Sequence, residues 1–148
     1  MTQSTLRLMD ANLNRVREGL RVCEDICRFV WEKEEWVTSF RQLRHQITHI
    51  ALERMNLMHL IQNRDTETDI GRGMDTIERE SVTVQDLFLK NLQRAKEGLR
   101  VLEEFGQQID PVVRHAFQTL RYRLYQLEKT IVCQWNEDQQ LSTLRHSG

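Results

Sequence analysis

Four arginines carry the chemistry most open to question in this sequence. On a helical wheel of about 100° per residue, Arg15 falls between Val22 and Ile26 with Asn12 beside it, and Arg94 falls between Val101 and Phe105 with Asn91 beside it. Arg44 lies among Phe40, Ala51 and Met55, and Arg121 among Phe117, Val132 and Glu128. All four point toward the apolar side of their helices. A guanidinium taken out of water needs a partner, because its desolvation is otherwise uncompensated. Internal ion pairs, Arg15 with Glu18 or Glu97 and Arg121 with Glu128, would lock the helices to one another. A polar cavity built for phosphate would instead use the guanidinium fork to grip oxygens two at a time. The pattern leaves both open.

Glu18 and Glu97 flank the same apolar sectors, one turn beyond Arg15 and Arg94. Outside them run charge ladders, Glu18-Arg21-Asp25-Arg28 and Glu97-Arg100-Glu104, whose spacing suits solvated pairs. The polar stretch Arg64 to Gly73 contains Asp65, Glu67 and Asp69, like the first half of a calcium loop, but Ile70 stands in place of the turn glycine and Thr76 in place of the closing glutamate. Its carboxylates suit either a magnesium hold over a phosphate site or a plain solvated loop. His45 and His49 are one turn apart without a third ligand, which favours surface histidines. Cys23 and Cys27 sit on the apolar stripe as small buried hydrophobes. No Gly-rich phosphate loop of either common kind is present.

These residues are carried by a repeat. The fifteen residues from Asn12 to Ile26 return as Asn91 to Phe105, with nine identical at an offset of 79. Phe40-Arg-Gln-Leu-Arg-His45 returns as Phe117-Gln-Thr-Leu-Arg-Tyr122 at an offset of 77. Each unit reads as a leading helix and a trailing helix: about Asp10, as N-cap, to Trp31 and Glu35 to Ile61; then Thr83 to Gln108 and Pro111 to between Trp135 and Gln140, with a frayed tail from Leu141. The leading stripe comprises Leu13, Val16, Leu20, Cys23, Cys27 and Val30. Gly19 and Gly98 hold matched mid-helix places, where close helix approach or room for a ligand would account for them. The expected fold is all-α: one domain over 1–148, a four-helix bundle of two αα-hairpins (about 8–61 and 83–140, joined by 62–82) about an internal two-fold axis. Of 148 residues, 21 are Lys or Arg and 22 Asp or Glu, 29% are charged and 39% hydrophobic. That balance argues against nucleic-acid binding, and the short apolar runs argue against membrane insertion. Three cysteines and a start without signal-peptide order point to a cytoplasmic protein.

Met9 to Asp25, Leu43-Arg-His45, Arg64-Asp65 with Asp69-Ile-Gly71, Asn91 to Glu104, and Leu120-Arg-Tyr122 with Tyr125 and Leu127-Glu-Lys129 together resemble a family of helical domains. Members occur alone or fused to the N-terminus of thiamine-phosphate synthase, and are associated with hydroxymethylpyrimidine phosphate kinase activity. The synthase barrel has no counterpart in this sequence. The resemblance implies ATP- and Mg²⁺-dependent phosphorylation of a phosphorylated pyrimidine in thiamine biosynthesis. Arg15, Arg44, Arg94 and Arg121 would then contact phosphate, Asp65 and Asp69 would hold Mg²⁺, and Glu18 or Glu97 would accept the proton. Asn12, Asn91 and Tyr122 would contact the substrate. The competing expectation is a non-catalytic regulatory or dimerising module, with a homodimer possible in either case and the arginines paired internally.

Overall fold

Apolar residues recur at three- and four-residue spacing through most of the chain, and the resulting architecture is all-helical. A computed structural model describes residues 1–74 and 83–147; Thr76 and the rest of the expected connection through Val82 lie outside the described residues. Among the described residues there are five α-helices and no strand: α1 (Gln3–Asp25), α2 (Glu34–Arg54), α3 (Leu57–Gln62), α4 (Val84–Gly106) and α5 (Pro111–His146). A π-helical turn, Ile26–Val30, extends α1. Among the described residues no helix is long and apolar enough to cross a membrane.

Side-chain caps open four of the five helices, α2 being the exception after Lys33. Thr83 Oγ1 accepts from the Asp86 amide at 3.0 Å, and Asp110 Oδ1 from the Val113 amide at 2.9 Å with Pro111 opening α5. The start expected at Asp10 is corrected: Thr2 Oγ1 accepts from the Thr5 amide at 3.1 Å, so α1 begins at Gln3. Leu6 and Met9 are buried and continue the stripe of Leu13, Val16 and Leu20 upstream, leaving Asp10 in mid-helix. The trailing helix of the first repeat does not run unbroken to Ile61. Asn56 takes the left-handed conformation (φ 51°) and its side chain accepts from the His59 amide, ending α2 and starting α3. Val30, expected in the core, is 55% exposed, because the wider π turn rotates the residues after Asp25 around the axis. The tail expected to fray from Leu141 is helical through His146.

α1 and α4 share the most extensive contact. A Cβ added at Gly19 would stand 2.7 Å from the backbone oxygen of Asn91; one at Gly98 would stand 2.5 Å from Val16 Cγ2 and 3.3 Å from the Asn12 backbone oxygen. Each glycine thus receives the residues that match, 79 positions away, those received by the other. α2 packs on α1 and α5 on α4, while α2 and α5 touch each other far less. Between the layers lies hydrocarbon: Leu13, Leu20, Phe40, Phe88, Leu99 and Phe117 are essentially inaccessible to water. Phe88 meets Phe40 at 5.8 Å, Trp31 at 5.0 Å and Trp135 at 5.4 Å between ring centroids. Cys23 and Cys27 are buried as the wheel indicated.

Gly19→Ala is expected to lose about 1–3 kcal/mol of stability despite alanine's better helix propensity, since the obstacle is backbone. Gly98→Ala meets a valine methyl, so Val16→Ala should recover part of its loss while giving Gly19→Ala no such relief; denaturant unfolding of the single and double variants measures this. Burial pushes the Cys23 and Cys27 thiols up, Cys27 to about 12 with Glu24 adding to the effect. A thiol reagent at pH 8 should therefore modify exposed Cys133 in the native protein and reach the other two only on unfolding, as mass spectrometry would record.

Candidate functional site

Arg44 on α2 and Arg121 on α5 reach back to the leading helices. Arg44 Nε and Nη2 donate to Glu24 at 3.2 and 3.3 Å, and Arg121 Nε donates to Glu103 at 2.7 Å. Both glutamate side chains are 1% exposed. Each also has an arginine from its own helix, Arg21 at 3.1 Å from Glu24 and Arg100 at 3.6 Å from Glu103. The arginine pairing with Glu128 expected from the wheel is not formed: Lys96 takes Glu128 at 2.8 Å, and Arg121 takes Glu103. The Arg121 guanidinium also donates to the Tyr125 hydroxyl at 3.2 Å and lies 5.0 Å from the ring centroid of Tyr122, which is 59% exposed. The hydrogen bond to Glu103 pushes the Arg121 pKa further up against the opposing effect of burial.

The second arginine pair is placed differently. Arg15 is half-buried, and its Nη1 donates to Asn12 Oδ1 at 2.7 Å; among the described residues it has no carboxylate within ion-pair distance. Arg94 is half-buried and has neither a hydrogen-bond nor an ion-pair partner among them. Asn12 and Asn91 spend their amide N–H on their own helices, at Leu8 O (2.9 Å) and Leu87 O (2.8 Å). Glu18 and Glu97 are exposed; Glu97 accepts from Gln93 at 3.0 Å. Neither pairs with Arg15, as one sequence reading required.

The acidic loop is tied to α1. Arg64 grips Asp10 through two hydrogen bonds of 2.7 and 2.8 Å, which explains a 3%-exposed carboxylate in mid-helix. Asp65 accepts from the amides of Glu67 (3.1 Å) and Thr68 (3.0 Å) and from the Thr68 hydroxyl, a set that holds its carboxyl below the usual range, the hydroxyl foremost. Asp69 Oδ1 accepts from the Gly71 amide at 2.9 Å. Both carboxylates shape their own loop through these hydrogen bonds, and among the described residues no three His, Cys, Asp or Glu side chains gather in one place. His49 pairs with Glu53 at 3.1 Å, away from any such cluster.

The open space is elsewhere. A cavity of about 790 Å³ lies between α2 and α5, lined by Trp36, Leu43, His45, Gln46, Arg123 and Leu127 among others, and joins a second of about 510 Å³ that shares His45, Gln46 and Arg123. Sequence reasoning missed Arg123 and Gln46. Both are exposed helix residues, as most arginines and glutamines on a helix are; the signal that could have found them is that they stand 77 positions apart, at the repeat offset of the trailing helices.

Residues 7–130 match the ThiD2 family. The thiamine-phosphate synthase of a Synechocystis strain is 41% identical over 127 residues, covering 85% of this chain and 36% of that protein. That of a Synechococcus strain is 42% identical over 127 residues, covering 84% and 34%. That of Rhodopirellula baltica is 32% identical over 125 residues, covering 84% and 33%. The chain spans about a third of the length of these curated relatives. No solved structure shows significant similarity to it.

The buried pairs have a measurable consequence. Glu103→Ala leaves Arg121 buried beside an absent counter-charge and should cost about 3–5 kcal/mol, whereas the apolar double replacement Glu103→Leu with Arg121→Met should cost far less. Thermal or denaturant unfolding decides it; a small effect of Glu103→Ala alone would show that the pair does not hold α5 to α4.

Proposed function

The chain belongs to the ThiD2 family, and from that premise we propose that it is a helical module of thiamine biosynthesis. It is of the kind joined to thiamine-phosphate synthase, and serves the pathway as a regulatory or dimerising domain in the cytoplasm. The observation that carries this reading is the pairing of Arg44 with Glu24 and Arg121 with Glu103. Two of the four arginines suited to phosphate are already neutralised by carboxylates within the fold, so their bidentate capacity serves helix docking. The loop carboxylates support the same reading, because Asp65 and Asp69 hydrogen-bond their own backbone.

A second reading, phosphorylation of hydroxymethylpyrimidine phosphate by ATP with Mg²⁺, is favoured by one specific observation. Arg94 is half-buried without a partner among the described residues, and Arg15 is held only by the neutral Asn12 amide oxygen. Exposed Glu18 and Glu97 stand one turn further along the same helices. Two such guanidiniums would attract phosphate oxygens, and phosphoryl transfer draws most of its catalysis from positioning and charge neutralisation.

One experiment separates the readings. Purified protein is incubated with ATP, Mg²⁺ and hydroxymethylpyrimidine phosphate, and ADP is measured against a blank, beside the Arg15→Ala and Arg94→Ala variants. The module reading expects no ADP above the blank, and changes only in unfolding for the variants. Sustained ADP formation that Arg94→Ala abolishes while its circular dichroism stays native would replace it with the kinase.

A further inference from the structure

A groove opens between α2 and α5, and its two halves are built from matching positions. Gln42 and Leu43 line one half; Thr119 and Leu120, 77 positions on, line the other. Gln46 and Arg123, themselves 77 positions apart, line both. Arg123 Nη1 donates to Gln46 Oε1 at 2.8 Å, so a guanidinium and an amide bridge the helices where the halves meet. At the corresponding position of each repeat one chain segment supplies the charge and the other a neutral acceptor.

Among the described residues that charge has no counter-ion. Arg44 and Arg121 each reach a buried glutamate, but Arg123 finds only the Gln46 amide among the described residues. Glu35, at one end, is the single carboxylate among the residues lining either half. His45 also faces the groove, and His49 lines it while pairing with Glu53. The base is apolar: Trp36, Leu43 and Leu120 are 7%, 5% and 4% exposed. At about 790 Å³ the larger half has the size of a small-molecule site, with hydrocarbon at its base and one positive group fixed at its centre.

We propose that the α2–α5 groove binds a small organic anion, its phosphate or carboxylate against Arg123 and its apolar or aromatic body over Leu43 and Trp36. This goes beyond the module and kinase readings and rests on neither, since Arg15, Arg94 and the acidic loop do not line the groove. The guanidinium retains N–H groups beyond the one given to Gln46, and two oxygens of a carboxylate or a phosphate would engage them in parallel.

The test uses the full chain, ¹⁵N-labelled and titrated with phenyl phosphate, benzoate and neutral benzyl alcohol while amide shifts are followed. At least one anion should produce saturable shifts confined to groove residues of α2 and α5, with benzyl alcohol at least about tenfold weaker. Phenyl phosphate outbinding benzoate assigns the group as phosphate, and the reverse order assigns it as carboxylate. Arg123→Gln should weaken binding at least about tenfold. Gln46→Glu should do the same by giving Arg123 a carboxylate, and Arg114→Gln, outside the groove, should leave it unchanged. Residues 46 and 123 are both exposed, so the amide spectra of these variants should remain those of the folded protein. Absence of saturable shifts with either anion, shifts centred on Arg15 and Arg94 instead, or undiminished affinity in Arg123→Gln would overturn the proposal.

Discussion

The contact between α1 and α4 sets the distances for everything else. Two glycines admit it: Gly19 lies against the backbone of Asn91, and Gly98 against Val16 and the backbone of Asn12. Helices that meet with backbone near backbone draw their flanking side chains out of water, and Glu24 and Glu103 are buried on these same two helices. The trailing helices lie outside that central pair and meet each other over long side chains, Gln46 and Arg123 among them, so a groove opens where no glycine allows approach. Close packing on one side of the molecule and open space on the other follow from where the small residues are.

Burying Glu24 and Glu103 would be strongly unfavourable without a cation, and each has two. One arginine comes from its own helix and one from the trailing helix, which makes the ion pair a register mark between helices as much as a source of stability. Buried pairs of this kind often contribute little net energy compared with an apolar replacement, yet leaving one partner alone is costly. The second half is built out further than the first. Arg121 has the Tyr125 hydroxyl and lies over two tyrosine rings, and Lys96 with Glu128 closes the same side; in the first half Thr48 and Ala51 stand where Tyr125 and Glu128 stand in the second. The two halves share a scaffold and differ in the polar cluster mounted on it.

The sequence shows the repeat, the all-helical class and the inward lean of Arg44 and Arg121, because these depend on spacing along one helix. It hides the partners, because a partner stands on another helix. The wheel offered Glu128 to Arg121 because seven residues, two turns, bring the two to nearly the same angle, while Glu103, the actual partner, lies eighteen positions earlier on α4. Asp10 read as a cap because it precedes an apolar run; only the loop returning with Arg64 shows that the carboxylate is needed inside. The break at Asn56 has no proline or glycine to announce it, and the π turn that exposes Val30 has no residue signature at all. Arg123 escaped notice for a different reason: its significance comes from the absence of a counter-charge, which no single helix can show.

Sorting the arginines by what neutralises them separates structure from binding. Arg44, Arg64 and Arg121 meet carboxylates that are nearly inaccessible to water, and their charge is absorbed by the fold. Among the described residues Arg15 and Arg123 donate only to amide oxygens, and Arg94 has no hydrogen-bond or ion-pair partner. A neutral acceptor orients a guanidinium without cancelling its field, so an incoming anion still gains the full attraction and need not displace a resident carboxylate. The positions with orienting but uncompensated charge occur on two separate parts of the molecule, the α1–α4 pair and the α2–α5 groove. The first lies beside the close α1–α4 contact that Gly19 and Gly98 allow. The second lines a cavity of about 790 Å³, and a guanidinium that is oriented but not cancelled, set beside that volume, suits the groove to a whole organic anion.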